Sequence, residues 1–417
     1  MSTLEVTRPK TQYATWTEQG IDVPAVRRAL LAQQIETPSW GFGNSGTRFG
    51  VFGQPGVPRT PFEKLEDAAE VHRLTRICPS VAIHIPWDRV DDYGELSKAA
   101  HGLGLRLGAV NPNVFQDPDY KLGSICHHDA AIRRKAVNHL LECIDVAKQI
   151  DSHVLSLWFA DGTNYPGQAD FRRRKRWMVE SLSEAYAAMP ATMRMLVEYK
   201  FYEPGFYHTD LADWGIALLI AKELGPRAQV LVDLGHHAQG VNVEHIVALL
   251  LEEGRLGGFH FNNRKYGDDD LIVGAINPYE LFLIFNELVA EEQHQAALRA
   301  AGQRSSAAHE IAYMLDQSHN VEAKIPAMLL SVLNVQHAYA RALLVDRSAL
   351  RDQQERGDVV GAMQVLQRAY ETDVRELCAD IREELGGARD PLAAFAASNY
   401  AARKADERAG GRQMSWT

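Results

Sequence analysis

The chain has 417 residues, 46% of them hydrophobic, and its 54 acidic against 44 basic residues leave a formal net charge of -10. That is enough apolar material for a large buried core, and barrels use about 250 residues as a single domain. The acidic balance argues against a free nucleic-acid binder, which needs a basic face; the short basic run Arg172–Lys175 precedes an apolar helical pattern and reads as a solvated helix face.

In chain order, residues 1–35 read as an N-terminal helix and arm. Short runs rich in Val, Ile, Leu and Phe then recur as buried strands at Thr37–Phe42, Val81–Trp87, Leu105–Val110, His153–Phe159, Met193–Tyr199, Gln229–Leu234, Gly258–Asn262 and Glu310–Asp316. Helical patterns lie between them. Ile132, Ala136, Leu140, Cys143 and Ala147 fall three or four apart on one helix face. Trp177–Ala188, Leu211–Leu224, Val243–Leu251, Pro278–Ala290 and Val321–Leu344 behave similarly, with Asp129 and Asn242 as N-caps and Gly225 after a helix end. Residues 345–417 carry helical patterns without a strand, broken at Gly386-Gly387.

Strands alternating with helices imply a parallel sheet with crossover connections. Eight strands suit closure, and no GxGxxG follows any of them, so the expected fold is an α/β (β/α)8 TIM barrel rather than an open doubly wound sheet. The division reads 1–35 arm, 36–344 catalytic barrel, 345–417 helical extension. The extension either packs on a neighbouring subunit or caps its own barrel. Cys78, Cys126, Cys143 and Cys378 are far apart, with no CxxC pair, which fits a reducing compartment. The segment MSTLEVTRPKTQYATW lacks the apolar stretch of a signal peptide, and no apolar run approaches the ~18 residues that span a bilayer. A cytoplasmic protein without membrane or nucleic-acid partners is expected.

Barrel enzymes place catalytic groups at the C-terminal ends of strands. The fifth strand ends in Glu198-Tyr199-Lys200, and alternate strand residues share a face, so Glu198 and Lys200 point the same way; alone, the pair could be a structural salt bridge. The sixth ends in Asp233-Leu234-Gly235-His236-His237, where the spacing of Asp233 and His236 lets both face the mouth. His260 lies within the seventh strand between Phe259 and Phe261, the usual place of a core histidine. It is followed by Asp268-Asp269-Asp270, of which Asp268 and Asp270 can point to one side. The eighth ends at Asp316. Singly these signals are weak. Together, five carboxylates and two imidazoles at one mouth would repel without a cation, and their number suits two metals bridged by a carboxylate. Oxygen-rich ligation with some imidazole favours Mn²⁺ or Mg²⁺, with Co²⁺ an alternative. The earlier strands supply Trp40, His84, Trp87, Phe115 and Trp158, whose aromatic rings fit the apolar face of a sugar and exclude water.

The segments SWGFGNSGTRF, HIPWD, DGTNYPGQ, VEYKFYEPGFY, LVDLGHH, GGFHFNNRKYGDDDL and MLDQSHNV occur in order on consecutive strands. Together they resemble the L-rhamnose isomerases of the pseudomonad type, which belong to the xylose-isomerase-like barrels and interconvert aldoses and ketoses. The resemblance runs through nearly all the chain. It implies Glu198, Asp233, His260 and Asp316 as ligands of a structural metal, and Glu198, His236, Asp268 and Asp270 as ligands of a catalytic one. Lys200 would polarise the substrate's O1. Trp40, His84, Trp87, Phe115 and Trp158 would form the sugar pocket, with Glu198, Lys200, His236 and Asp316 also touching substrate. Phe49 lies in a loop that reaches a neighbouring subunit's site in relatives. Manganese and a homotetramer are implied as well. Two departures stand out: Asn263, where relatives often carry Asp, which bears on the surroundings of the metals, and Glu291–Ala308, which looks longer than usual.

Isomerisation moves a hydrogen between C2 and C1, so negative charge developing on O1 and O2 must be stabilised. The expected course is ring opening assisted by Asp316 or His84, then a metal-assisted hydride shift, with a cis-enediol route as the rival. A metal-dependent phosphodiesterase or nuclease on a related barrel is the alternative activity, but it would want a basic groove. A sugar-binding protein without turnover would have no need of Lys200 beside Glu198.

Overall fold

In the computed structural model, which describes residues 10–18, 20–47, 50–203, 207–302 and 311–409, eight parallel strands close into a barrel. They are β1 (Glu36–Pro38), β2 (Ser80–Ile85), β3 (Arg106–Pro112), β4 (Val154–Leu157), β5 (Arg194–Glu198), β6 (Ala228–Asp233), β7 (Leu256–Phe261) and β8 (Ala312–Leu315). Each pairs with its sequence neighbours, and β1 closes the ring between β8 and β2. The expected (β/α)8 barrel is therefore the observed architecture.

Helices α1 (Lys10–Glu18) and α2 (Val23–Ala32) precede the barrel. Then α3 (Pro61–Thr75), α4 (Tyr93–Gly102), α5 (Ala130–Gln149), α6 (Phe171–Ala188), α7 (Trp214–Leu224), α8 (Val243–Glu252), α9 (Pro278–Ala300) and α10 (Lys324–Leu343) alternate with the strands. Their ends follow local chemistry. Asp129 accepts from the Ala131 amide, Asn242 accepts from the His245 amide, and Gly225 closes α7 at φ 131°. Residues 291–300 simply continue α9; 303–310 lie outside the described residues.

Several boundaries differ from expectation. The first strand stops at Pro38, and Ser39–Phe42 forms a 3₁₀ turn. A side chain at Gly41 would stand 2.8 Å from Met328 and 3.1 Å from the Gln317 carbonyl, so this turn needs glycine to pack. The second strand ends at Ile85, because Pro86 has no N–H to donate. After α10, helices α11 (Arg347–Arg356), α12 (Val359–Glu371), α13 (Arg375–Glu384), α14 (Pro391–Ala397) and α15 (Tyr400–Glu407) follow, with Gly386 at φ 82° between α13 and α14. The last of these dock on α3 of the same chain: Tyr400 donates to Asp67 at 2.8 Å, and Arg408 grips the same carboxylate at 2.9 and 3.0 Å. Among the described residues no single helix is long and apolar enough to cross a membrane.

The interior of the barrel sets up the site. Trp40, Ala82, Ala109, Leu196, Leu231 and Met314 form a buried cluster of their own inside the strands. Two residues farther along, on the same face of each strand, come His84, Glu198, Asp233 and Asp316. The period of two thus lays a polar layer directly above an apolar plug. On β7, Phe259 and Phe261 stack on each other, and Phe261 on Phe285 of α9, so both face the helices and His260 faces inward.

Candidate metal centre

Glu198, Asp233 and His260 sit at the ends of β5, β6 and β7, and Asp316 follows β8. Each offers one donor atom, and all four atoms lie within 4.8 Å of one another. His260 Nδ1 is 3.2 Å from Glu198 Oε2, 3.4 Å from Asp316 Oδ2 and 3.9 Å from Asp233 Oδ2. Both of its ring nitrogens are buried, and neither makes a hydrogen bond. An imidazole nitrogen surrounded by three carboxylates that it does not hydrogen-bond is a donor set suited to a divalent cation. Asp233 is further held by the Asn262 amide at 2.9 and 3.1 Å and by the Gly235 N–H at 2.6 Å, which fixes its orientation.

The second expected set is arranged differently. His236 Nδ1 lies 3.2 Å from Glu198 Oε1, and its Nε2 lies 3.0 Å from Asp268 Oδ1. Asp268 Oδ2 accepts from the Lys200 ammonium at 2.5 Å, and Lys200 also donates to Glu203 at 2.9 Å. Glu198 touches both histidines, so it joins the two sets. Of the adjacent pair, His237 turns the other way and meets the Tyr199 hydroxyl at 2.6 Å. Asp269 points back into its own loop.

Electrostatics follow from crowding. Burial opposes ionisation of Glu198, but His260 and His236 beside it outweigh burial and hold its carboxyl well below the usual range. Burial pushes Asp233 up to about 7, despite His236, with Glu198 and Asp316 adding to the rise. Burial also raises Asp270 well above its ordinary value, with the charges of Asp268, Asp316 and Asp233 adding to it. Against burial, Glu198 and Asp316 carry His260 up to about 9. Asp233, Asp270 and Asp316 among the carboxyls, and the His236 and His260 imidazoles, are thus all shifted toward the protonated form, and a cation would displace those protons.

The aromatic residues of the early strands meet as one wall. His84 stacks on Trp87 at 3.7 Å and meets Trp40 and Phe115 edge-on at 5.7 Å; Phe115 meets Trp158 at 4.6 Å. The wall touches the polar layer at both ends: Trp40 Nε1 donates to Asp316 at 2.7 Å, and Lys200 Nζ lies 4.9 Å from the Trp158 ring centre. Phe49 lies outside the described residues.

Other residues that shape this mouth were not anticipated. Asp88 is fully buried, accepts from Lys64 of α3 at 2.6 Å and from the His84 N–H at 2.8 Å, and is hydrogen-bonded by Ser39. It ties the end of β1 to the end of β2. Lys64 sits among the charged residues of α3, and no sequence signal marks it. The basic run on α6 needs a correction: Arg172, Arg173 and Lys175 are exposed, but Arg174 is 3% exposed. It pairs with Asp210 at 2.8 Å and donates to the Leu122 carbonyl at 3.0 Å. Asp161 beside it accepts from the Ser124 and Cys126 amides, each at 2.8 Å. Cys126, Asp161 and Asp210 also converge, but both carboxylates already have these partners, and the group staples the loops after β3, β4 and β5. Asn263 accepts from the amides of Ile276 and Asn277 at 2.7 and 3.0 Å, so it anchors the entry to α9.

Known proteins resemble this chain over most of its length. The chain is 48% identical to a probable sugar isomerase of Rhizobium meliloti, over 94% of this chain and 90% of that one. It is 47% identical to a probable sugar isomerase of Mesorhizobium japonicum, over 94% and 89%. Among solved structures, an L-ribulose 3-epimerase superposes with a TM-score of 0.50 at 15% identity, covering 75% of this chain and 98% of that one, a likeness of fold. Residues 76–288 match the family described as xylose isomerase-like TIM barrel, and with an inward layer of acids and imidazoles above its apolar plug, the chain belongs to that family.

Proposed function

We propose that the chain is a metal-dependent aldose–ketose isomerase, acting on L-rhamnose to give L-rhamnulose with tolerance for other aldoses. The observation that carries this reading is the Glu198–Asp233–His260–Asp316 cluster facing an aromatic wall across the barrel mouth. The similarity to two probable sugar isomerases over nearly the whole chain supports it.

In this reading Glu198, Asp233, His260 and Asp316, whose donor atoms converge, would hold one cation, and Glu198, His236, Asp268 and Asp270 would hold a second. Mn²⁺ suits this mixture, with Mg²⁺ or Co²⁺ as alternatives. Such ions, when bound, supply Lewis-acid stabilisation of charge developing on the sugar oxygens. His84 or Asp316 takes the O1 proton of the cyclic aldose, and O5 is protonated as the ring opens. Burial, with Lys64 adding to it, pushes His84 well below its ordinary value, so its imidazole is neutral and able to accept. The hydrogen on C2 then moves to C1 with its electron pair, the O2 proton leaves, and O1 gains one. Lys200, 4% exposed and aimed at the mouth by Asp268 and Glu203, donates to O1. The aromatic wall covers the sugar's apolar face and keeps water from the reacting carbons. We also assign a homotetramer.

Incubating purified protein with Mn²⁺ and L-rhamnose and assaying ketose tests the reaction, and a panel of aldoses compared by kcat/KM tests the substrate. Ketose from no aldose in the panel would remove the proposal. Deuterium at C2 tests the route: retention in product is expected, and complete wash-out into solvent would replace the hydride shift by an enediol.

A further inference from the structure

The loop carrying Asp268 and Asp270 is closed at its base and pinned at its centre. Asn263 and Leu271 exchange both backbone hydrogen bonds, at 3.0 and 2.9 Å. Between them, the Asp269 carboxylate accepts three consecutive backbone N–H groups: Lys265 at 2.8 Å and Tyr266 at 2.7 Å on Oδ2, and Gly267 at 2.7 Å on Oδ1. Its two neighbours hold an unusual backbone. Asp268 has φ 57° and Asp270 has φ 46°, both in the left-handed region that side-chain-bearing residues rarely enter.

These observations belong together. In an extended chain, three consecutive acids would alternate sides without any one of them folding back. Here the middle carboxylate folds back on residues 265–267, and Asp268 before it is turned toward the mouth. Asp268 reaches His236 at 3.0 Å and Lys200 at 2.5 Å, and Asp270, at φ 46°, stands directly after Asp269 on its other side. Asp269 itself contacts none of these groups in the described hydrogen bonds; its partners are the loop amides.

We propose that Asp269 is a positioning residue for the second cation site, gathering the 265–267 amides so that Asp268 and Asp270 present their carboxylates together. The proposal rests on the two-cation reading above. It explains why an acid is needed at a position that binds nothing at the mouth: a carboxylate offers enough lone pairs for three N–H donors, whereas an amide side chain turns one of its two atoms into a donor.

The test uses the full-length protein, stripped of metal and titrated with Mn²⁺ alone, with free Mn²⁺ followed by electron paramagnetic resonance. Wild type, Asp269→Ala, Asp269→Asn and Asp268→Asn are compared, and melting of each metal-free protein checks folding. Wild type should bind two equivalents. Asp269→Ala should bind the first with unchanged affinity and the second at least tenfold more weakly, as Asp268→Asn does. Asp269→Asn should fall between, since it keeps part of the acceptor set and replaces no folded structure. Equal second-site affinity in Asp269→Ala and wild type would overturn the proposal, as would equal weakening of both sites in a folded variant. One equivalent in wild type itself would instead overturn the two-cation reading, an outcome distinguishable from either.

Discussion

Replacing Lys64 by methionine removes the cation that faces a fully buried carboxylate. Lys64 Nζ and Asp88 Oδ1 are 2.6 Å apart, with side chains 5% and 0% exposed. Breaking such a pair from one side costs about 3–5 kcal/mol, mostly the penalty of an uncompensated buried charge. Asp88 keeps the His84 amide and the Ser39 hydroxyl as donors, so the lower end, about 3 kcal/mol, is expected. With an unfolding entropy of roughly 2.1 cal/mol/K per residue, the whole chain loses about 0.9 kcal/mol per degree, and Tm should fall by about 3–4 °C. Asp88→Asn leaves the ammonium stranded and should cost a similar amount. The double variant removes both charges and should cost less than the sum by about 2 kcal/mol. Urea unfolding followed by circular dichroism measures all three. A Lys64→Met protein within 0.5 kcal/mol of wild type, or strict additivity, would refute the reasoning.

Further outcomes follow from other residues. Burial, with Arg382 and Arg341 adding to it, pushes His337 down to about 4 from 6.5. The unfolded chain therefore binds more protons, and about 3 kcal/mol of stability present above pH 6.5 is lost as pH falls through 4; His337→Gln should flatten that part of the stability profile measured by urea unfolding. Lys200→Met should lower kcat/KM by roughly 10²–10³-fold while the first Mn²⁺ still binds, which kinetics and metal analysis together check. Gly108→Ala would set a methyl 1.6 Å from the Glu36 carboxylate, which accepts the Ala109 amide at 2.9 Å. Overpacking of this kind costs about 1–3 kcal/mol, readable as a lower urea midpoint.

The barrel was legible because buried parallel strands read as continuous apolar runs, and eight of them alternated with helical periods. The convergence of candidate ligands was legible for a narrower reason: the period of two continues past each inward apolar residue, from Leu196 to Glu198 and from Leu231 to Asp233. The turn at Ser39–Phe42 was not, since its cause is the approach of Met328 to Gly41 across the fold. Lys64 and Arg174 were hidden for the same reason. Each sits in a charged helical stretch, and only tertiary packing singles out the one side chain that turns inward. Asp269 escaped because a run of three acids says nothing about which of them folds back on its own amides.

In the proposed reaction, a cation held at Glu198 enables aldose–ketose interconversion. The most direct measurement compares ketose formation from L-rhamnose by metal-stripped wild type, the same protein restored with Mn²⁺, and Glu198→Gln with Mn²⁺. Turnover is expected in the restored wild type alone, with Glu198→Gln retaining neither equivalent of Mn²⁺. Turnover by the stripped protein, or near-normal activity in Glu198→Gln, would contradict it.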